Sequence, residues 1–222
     1  MAREESGFEG IVLKAVPHLD QASVVKIFTE KGLLSFYYKK AKRKKTSDPF
    51  VHPFCKIEGI YVKKSSDLFL LRECTVLDWH LALRSSLSQM KAAGFMVQCL
   101  IRSQLGPTPS KKLYALFSTY LKKLPDFSDP DILAKSFALK FLWREGVLEL
   151  SLDCCFCKEK ASAFLEGQSV CKKHARKKSL YFSFSEWQTL YVLTYAKSFS
   201  ELKSLILTPK MSVAINALFD CI

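Results

Sequence analysis

The sequence predicts an α+β protein: a five-stranded N-terminal barrel over residues 1–78, then a helical domain over 79–222 with a small cysteine-rich insert at 153–178. Three observations carry this prediction. Five short runs rich in β-branched and aromatic residues, with turn signals between them, fill the first third of the chain. The apolar period changes from strand to helix spacing near Trp79. Residues of metal-ligand type then gather in one lysine-rich stretch.

Each element has a local reason. Residues 8–16 set Ile11, Leu13 and Ala15 on one strand face, 22–29 are β-branched and apolar, and 33–38 are aromatic. Residues 54–63 contain Gly59, the mark of a bulge or sharp bend, and 68–76 follow the turn Ser65-Ser66-Asp67. Five strands of this length fit an OB-fold, a partly open barrel used often for oligonucleotides; an SH3-like barrel fits nearly as well. Beyond them Trp79, Leu83, Leu87, Met90, Val97, Ile101 and Leu105 recur at helical spacing until Gly106-Pro107-Thr108-Pro109 stops the helix. Ser110 caps a second helix with the stripe Leu113, Leu116, Phe117, Tyr120, Leu121 and Leu124. Asp129-Pro130-Asp131 starts a third, whose core face is Ile132, Leu133, Phe137, Phe141 and Leu142. Ser183 and Glu186 form a capping box with Phe182 and Trp187 as its hydrophobic staple, and Ser198 with Glu201 repeats the box. A last helix over 213–219 buries Ile215, Leu218 and Phe219.

With 49% hydrophobic and 25% charged residues, the 222-residue chain is globular in composition, not disordered. Lys plus Arg number 34 against 21 Asp plus Glu, a net charge of +13. Such a surplus points to a polyanionic partner, nucleic acid before an anionic membrane. No run approaches the roughly 18 apolar residues that span a bilayer. Residues 1–10 carry acids with no apolar block behind them, so no signal peptide is expected, and a cytoplasmic protein with no membrane partner is.

The cysteines divide into two sets. Cys55, Cys74, Cys99 and Cys221 are scattered among apolar neighbours and read as small hydrophobes. Cys154-x2-Cys157-x13-Cys171-x2-His174 is the most specific signal in the chain. A CxxC pair on a tight turn aims two thiolates at one ion, and a second pair closes a tetrahedral zinc site from another turn. Four protein ligands leave no open position, so Zn²⁺ there would be structural, its net negative charge offset by nearby lysines. A cluster of reduced thiols and a redox CxxC are the alternatives; the latter lacks a preceding βαβ pattern. Cys155 is a spare whose spacing to Cys157 is poorer for a shared ion.

Two basic runs are candidate nucleic-acid contacts. Lys39, Lys40, Lys42, Arg43, Lys44 and Lys45 follow the third strand, with Tyr37 and Tyr38 before them as stacking faces. Lys172, Lys173, Arg176, Lys177 and Lys178 surround His174. Solvated charge is the plain alternative for both. The positive surplus is spread along the chain, which favours an extended nucleic-acid path over one pocket. No catalytic set emerges: there is no P-loop, GxGxxG or GxSxG, the carboxylates are scattered, and His18, His52 and His80 stand singly. A binding module fits better than an enzyme.

The order of these parts resembles the bacterial recombination-mediator family RecO. The strand Glu9-Gly10-Ile11-Val12-Leu13, then Phe28-Thr29-x-x-Gly32, then Ala41-Lys42-Arg43 closing a basic loop, and a Cys-x2-Cys insert two thirds along the chain carry the likeness. It implies an OB-fold followed by a helical domain with a zinc-binding insert. It implies binding to single- and double-stranded DNA, strand annealing, and help in loading RecA onto strands coated by single-strand binding protein. The partners implied are RecR and the acidic C-terminal tail of that binding protein, with no catalytic turnover. Cys154, Cys157 and Cys171 carry over as ligands; the fourth, often Cys in relatives, is His174 here. Lys42 and Arg43 are the best-matched DNA residues. Pro17-His18-Leu19-Asp20-Gln21-Ala22 departs from the family pattern by lacking an acidic pair. The competing reading is a zinc-containing OB-fold RNA-binding module of translation or ribosome assembly. A third is a nucleic-acid enzyme with an unrecognised site.

Overall fold

In the computed structural model, residues 5–18, 22–39, 52–63, 68–103 and 108–220 are described. Five strands, β1 (Glu5–Pro17), β2 (Ala22–Thr29), β3 (Gly32–Lys39), β4 (Lys56–Val62) and β5 (Leu68–Asp78), close into a barrel of order β1-β2-β3-β5-β4. All neighbours are antiparallel except β3 and β5. This is the OB-fold expected from the strand count.

The β2–β3 hairpin is fixed by its own residues. Thr29 Oγ1 donates to the Gly32 carbonyl (3.0 Å) and accepts from the Lys31 amide (3.1 Å). Gly32 has φ +99°, a conformation that costs a side-chain-bearing residue strain. The Thr29-x-x-Gly32 spacing is thus a turn requirement.

Two readings of the strand faces need correction. Ile11, Val12 and Leu13 are all buried, but Ile11, Leu13 and Ala15 do not share one face: Ala15 packs with Val12 and Phe8 in the barrel core, and Ile11 and Leu13 are not part of that cluster. The cause is a register shift against β2 between Val12 and Lys14, which flips the side-chain parity midway. At Gly59 the strand is not itself bulged; the shifts against β5 fall at Lys56/Ile57 and Ile60/Tyr61. Glycine is needed at position 59 because a Cβ there would meet the Glu73 carbonyl at 2.5 Å. Inside the barrel Phe8 stacks on Phe36 (centroids 4.8 Å), and Tyr61 packs against Phe36 and Phe69 at 5.5 and 4.9 Å.

The chain divides into two compact units, Met1–Lys123 and Leu124–Ile222. The strand-to-helix change near Trp79 therefore lies within the first unit, which also holds α1 (Leu87–Ser103) and α2 (Lys111–Lys123). Helix α2 packs on the barrel through Tyr114 and Phe117 against Phe28, with centroids 6.1 and 6.0 Å apart. The Tyr114 hydroxyl donates to Glu9 Oε1 (3.0 Å), and burial together with that carboxylate holds the phenol above its ordinary range. Helix α1 starts later than its apolar spacing suggests. His80 is left-handed (φ 46°), and a 3-10 turn at Leu81–Arg84 precedes the helix. The buried face is Ala92, Ala93, Met96, Val97, Cys99 and Leu100, whereas Leu87 and Met90 are exposed.

The second unit is organised on α3 (Pro130–Arg144), with Asp129 Oδ1 accepting from the Asp131 amide as its N-cap. Burial extends around most of this helix and even takes in Lys135, whose Nζ donates to Asn216 Oδ1 (2.7 Å) and pairs with Asp131 (3.3 Å). Around it pack α4 (Phe184–Tyr195), α5 (Phe199–Lys203) and α6 (Pro209–Asp220). Both capping boxes form. Phe182 and Trp187 meet at 6.0 Å as the staple.

At α4 the Glu186 carboxylate accepts from the Ser183 amide (2.7 Å) and faces Lys210 Nζ (3.5 Å). That amide hydrogen bond above all holds the Glu186 carboxyl below its ordinary range. A depressed carboxyl contributes its stability above its unfolded value and loses it as pH falls through the folded one. Glu186→Gln is expected to cost about 1 kcal/mol at neutral pH. The difference from wild type in urea unfolding should shrink as pH drops below about 4. A difference independent of pH would remove the carboxylate from the account.

Candidate metal centre and nucleic-acid surface

Two tight turns build the cysteine site. In the first, the Lys158 amide donates to the Cys154 carbonyl (3.1 Å), with Lys158 left-handed at φ 63°. In the second, the amides of His174 and Ala175 both donate to the Cys171 carbonyl (3.1 and 2.9 Å). A hairpin of β6 (Ala163–Leu165) and β7 (Gln168–Val170), with β8 (Leu180–Tyr181) beside β6, brings the turns together. The Cys155 amide donates to the Ser169 carbonyl on β7 (3.0 Å), which holds the first turn against the strand that delivers Cys171.

The sulfurs of Cys154, Cys157 and Cys171 and a ring nitrogen of His174 all lie within 4.8 Å of one another. Cys154 and Cys171 Sγ stand 3.5 and 3.4 Å from His174 Nδ1, and Cys157 Sγ is 3.6 Å from Cys171 Sγ. A tetrahedral zinc with its usual bond lengths sets ligand edges of roughly 3.5–3.8 Å, so the donor set fits such an ion. Cys154 and Cys171 are buried, and Cys157 is exposed. The Cys155 Sγ instead lies 3.8 Å from Gln168 Oε1 and is not one of the four.

The electrostatics suit a cation. Burial pushes the Cys154 thiol up, but backbone amides of Cys171, Cys157 and Phe156 outweigh it and bring it to about 6. Cys171 is lowered in the same way, burial being outweighed by the His174 amide and ring. Hydrogen bonds to those two sulfurs raise His174. At Cys157 an amide hydrogen bond at Glu159 lowers the thiol, but burial and the neighbouring sulfurs outweigh it and leave it raised. The four groups thus share protons where a divalent ion would displace them. This Cys3His group could hold a metal ion.

The basic residues fall in three places. Lys39 is exposed at the end of β3. Lys40, Lys42, Arg43, Lys44 and Lys45 lie outside the described residues. Tyr37 and Tyr38 are half-buried: Tyr38 packs against the barrel core, and Tyr37 meets the His18 ring at 6.1 Å. Lys172 and Lys173 sit exposed on the second turn, with Lys173 Nζ 2.6 Å from Glu159 Oε1. Arg176, Lys177 and Lys178 instead edge a cavity of about 530 Å³ walled by Leu142, Val147, Leu148, Phe164, Leu180 and Leu218. The sequence shows the cations but not this division, because the cavity walls come from distant segments. Also unforeseen are the exposed Phe156 and the lysines Lys158 and Lys160 beside it in sequence. The motif Cys-Phe-Cys at 155–157 was the available signal. His52 and His80 have local partners, Arg84 Nη1 at 3.0 Å and Asp78 Oδ2 at 3.5 Å. Among the described residues, no helix is long and apolar enough to cross a membrane.

Residues 1–80, the span of the barrel, match the family model described as "Recombination protein O N terminal". The "DNA repair protein RecO" of Chlamydia pneumoniae is 31% identical over 216 residues, 95% of this chain and 86% of that protein. The protein of the same name from Chlamydia muridarum is 31% identical over 226 residues, 95% of this chain and 93% of the relative. A more distant one, from Exiguobacterium sibiricum, is 23% identical over 225 residues, 96% and 88% of the two chains. The two chlamydial relatives are matched over 95% of this chain at 31% identity, and on that likeness the chain belongs to the RecO family of DNA repair proteins.

Proposed function

We propose that this chain is a DNA-binding recombination mediator. It binds single- and double-stranded DNA, anneals complementary strands, and helps load RecA onto strands coated by single-strand binding protein, without catalytic turnover. The observation that carries the reading is the closed OB-fold barrel in a chain of net charge +13, similar to DNA repair proteins over 95% of its length. In this reading residues 1–78 are an OB-fold domain and residues 79–222 a helical domain, with the zinc-binding insert at 153–178. Cys154, Cys157, Cys171 and His174 hold a structural Zn²⁺, which when bound ties the two turns together and stiffens the segment bearing Lys172 and Lys173. Phosphates are met by Lys39, Lys40, Lys42, Arg43, Lys44 and Lys45, and by Lys172 and Lys173.

RecR is one protein partner in this reading. The acidic tail of single-strand binding protein is the other, and the cavity edged by Arg176, Lys177 and Lys178 suits it. Three cations stand over apolar walls, with Glu166 the acid at the edge.

The test is annealing of complementary oligonucleotides, bare and coated with single-strand binding protein, without ATP. Acceleration of both is expected. The variant Arg176→Glu/Lys178→Glu should lose acceleration on coated strands and keep most of it on bare ones. Equal loss on both would assign those cations to DNA and not to the tail. No acceleration by wild type, with tighter binding to RNA than to DNA, would favour the RNA-binding module.

A further inference from the structure

The insert and the start of the helix after it each leave a large aromatic ring in solvent. Phe156, in the first turn of the cysteine site, is 61% exposed, and Phe184, the first residue of α4, is 60% exposed. Three side-chain contacts, linked by residues adjacent in sequence, connect them. The Phe156 ring lies 5.2 Å from the His174 ring. His174 follows Lys173, whose Nζ reaches Glu159 Oε1 at 2.6 Å. Glu159 precedes Lys160, whose ammonium stands 5.4 Å over the Phe184 ring. Lys158 and Lys172 are exposed beside this line. The acids on it are Asp153, which bridges to Lys160 through the backbone, and Glu159, already engaged by Lys173.

Aromatic faces set between lysines make a poor apolar docking patch, since ammonium groups would have to be desolvated to cover it. They suit a ligand that offers flat π faces and anionic links in alternation. Bases in a duplex are stacked on each other and cannot offer their faces. We propose that the strip from Phe156 to Phe184 is a stacking site for single-stranded nucleic acid. Bases lie on the two phenylalanines, and phosphates are met by Lys160, Lys172 and Lys173. The exposed Lys173–Glu159 pair is of the weak surface kind and yields to a phosphate at little cost. This inference rests on the reading of the chain as a DNA-binding protein and adds to it an aromatic site with a preference for unpaired strands.

The test compares Phe156→Ala, Phe184→Ala and the double variant with wild type. Affinities are measured for an oligo-dT strand, an abasic strand of equal length and a duplex of equal length, over a range of salt. Each single variant should weaken oligo-dT binding roughly fivefold or more, and the double variant further. Duplex and abasic affinities should stay within twofold of wild type. The salt slope should not move, because a lost stack releases no counterions. Phe156→Tyr should restore binding. Both rings are exposed, so wild-type melting temperatures are expected and confirm intact variants. Unchanged oligo-dT affinity, or an equal fall for the duplex, overturns the stacking site while leaving DNA binding standing. A wild-type chain that binds none of the three strands overturns the DNA-binding reading itself, and the stacking site with it.

Discussion

Cys171→Ser is expected to empty the metal centre and loosen the insert that carries it. The thiol is 3% exposed and sits in an apolar cluster with Cys154, Ala163 and Val170. Its sulfur is in reach of both Cys157 and His174, so its loss removes the donor that links the two turns. A structural zinc in an isolated finger contributes about 10–16 kcal/mol of apparent binding free energy to folding. Here part of the insert is held independently: Phe164 on β6 packs on Trp187 at 4.7 Å, and Trp187 Nε1 donates to the Ser151 carbonyl at 3.0 Å. The loss should therefore be smaller, on the order of 4 kcal/mol. For a unit of this size that is a fall of roughly 15 °C or more in Tm. The checks are zinc content of the purified variant by mass spectrometry and thermal unfolding followed by tryptophan fluorescence. Cys155→Ser is the matched comparison. Its sulfur is engaged with Gln168 and outside the donor set, so zinc should be retained and stability held within about 0.5 kcal/mol. A chelator should lower the wild-type Tm and leave Cys171→Ser where it is. Equal zinc in Cys171→Ser and wild type would end the four-ligand account.

The parts of this site that were legible in the sequence are those set by local geometry. A CxxC and a CxxH on tight turns need only their spacing to aim donors inward, and the capping boxes at Ser183 and Ser198 need only three residues' reach. What the sequence hid depends on what lies opposite. Leu87 and Met90 satisfy a helical stripe as well as Ala93 and Met96 do, yet the left-handed His80 and the following 3-10 turn leave them outside. Ile11, Leu13 and Ala15 alternate onto one strand face in the sequence, but alternation takes no account of the register shift between Val12 and Lys14. Gly59 reads as a bulge or sharp bend and is required by a close approach of backbone to Glu73. Phe184 reads as an ordinary first residue of a capped helix; only the fold shows that its ring is open and under Lys160. The cavity beneath Arg176 is invisible for a stronger reason. Its walls come from α3, the segment after it, the hairpin and α6, and no single window contains them.

Replacing Lys42, Arg43, Lys44 and Lys45 together with Ala is expected to weaken DNA binding by an amount that depends on salt. Each phosphate neutralised by a cation contributes about 0.9 to the slope of log affinity against log salt on duplex and about 0.7 on single strands. Four lost contacts should therefore flatten the slope by roughly 3. The variant's deficit should shrink by about sixtyfold between 50 and 200 mM salt, being largest at low salt. Lys173 makes a useful contrast. Its ammonium already faces Glu159 at 2.6 Å and its charge is partly met before DNA arrives, so Lys173→Ala should move the slope by less than any one of the four. Measured on the same strands, the basic-run variant and the phenylalanine variants separate two contributions. The basic run changes slope on duplex and single strand alike, whereas Phe156 and Phe184 change affinity on single strands at constant slope. If the basic-run variant keeps wild-type affinity and slope, the run at 39–45 is solvated charge, and the polyanion path must be carried by the insert and the remaining basic surface.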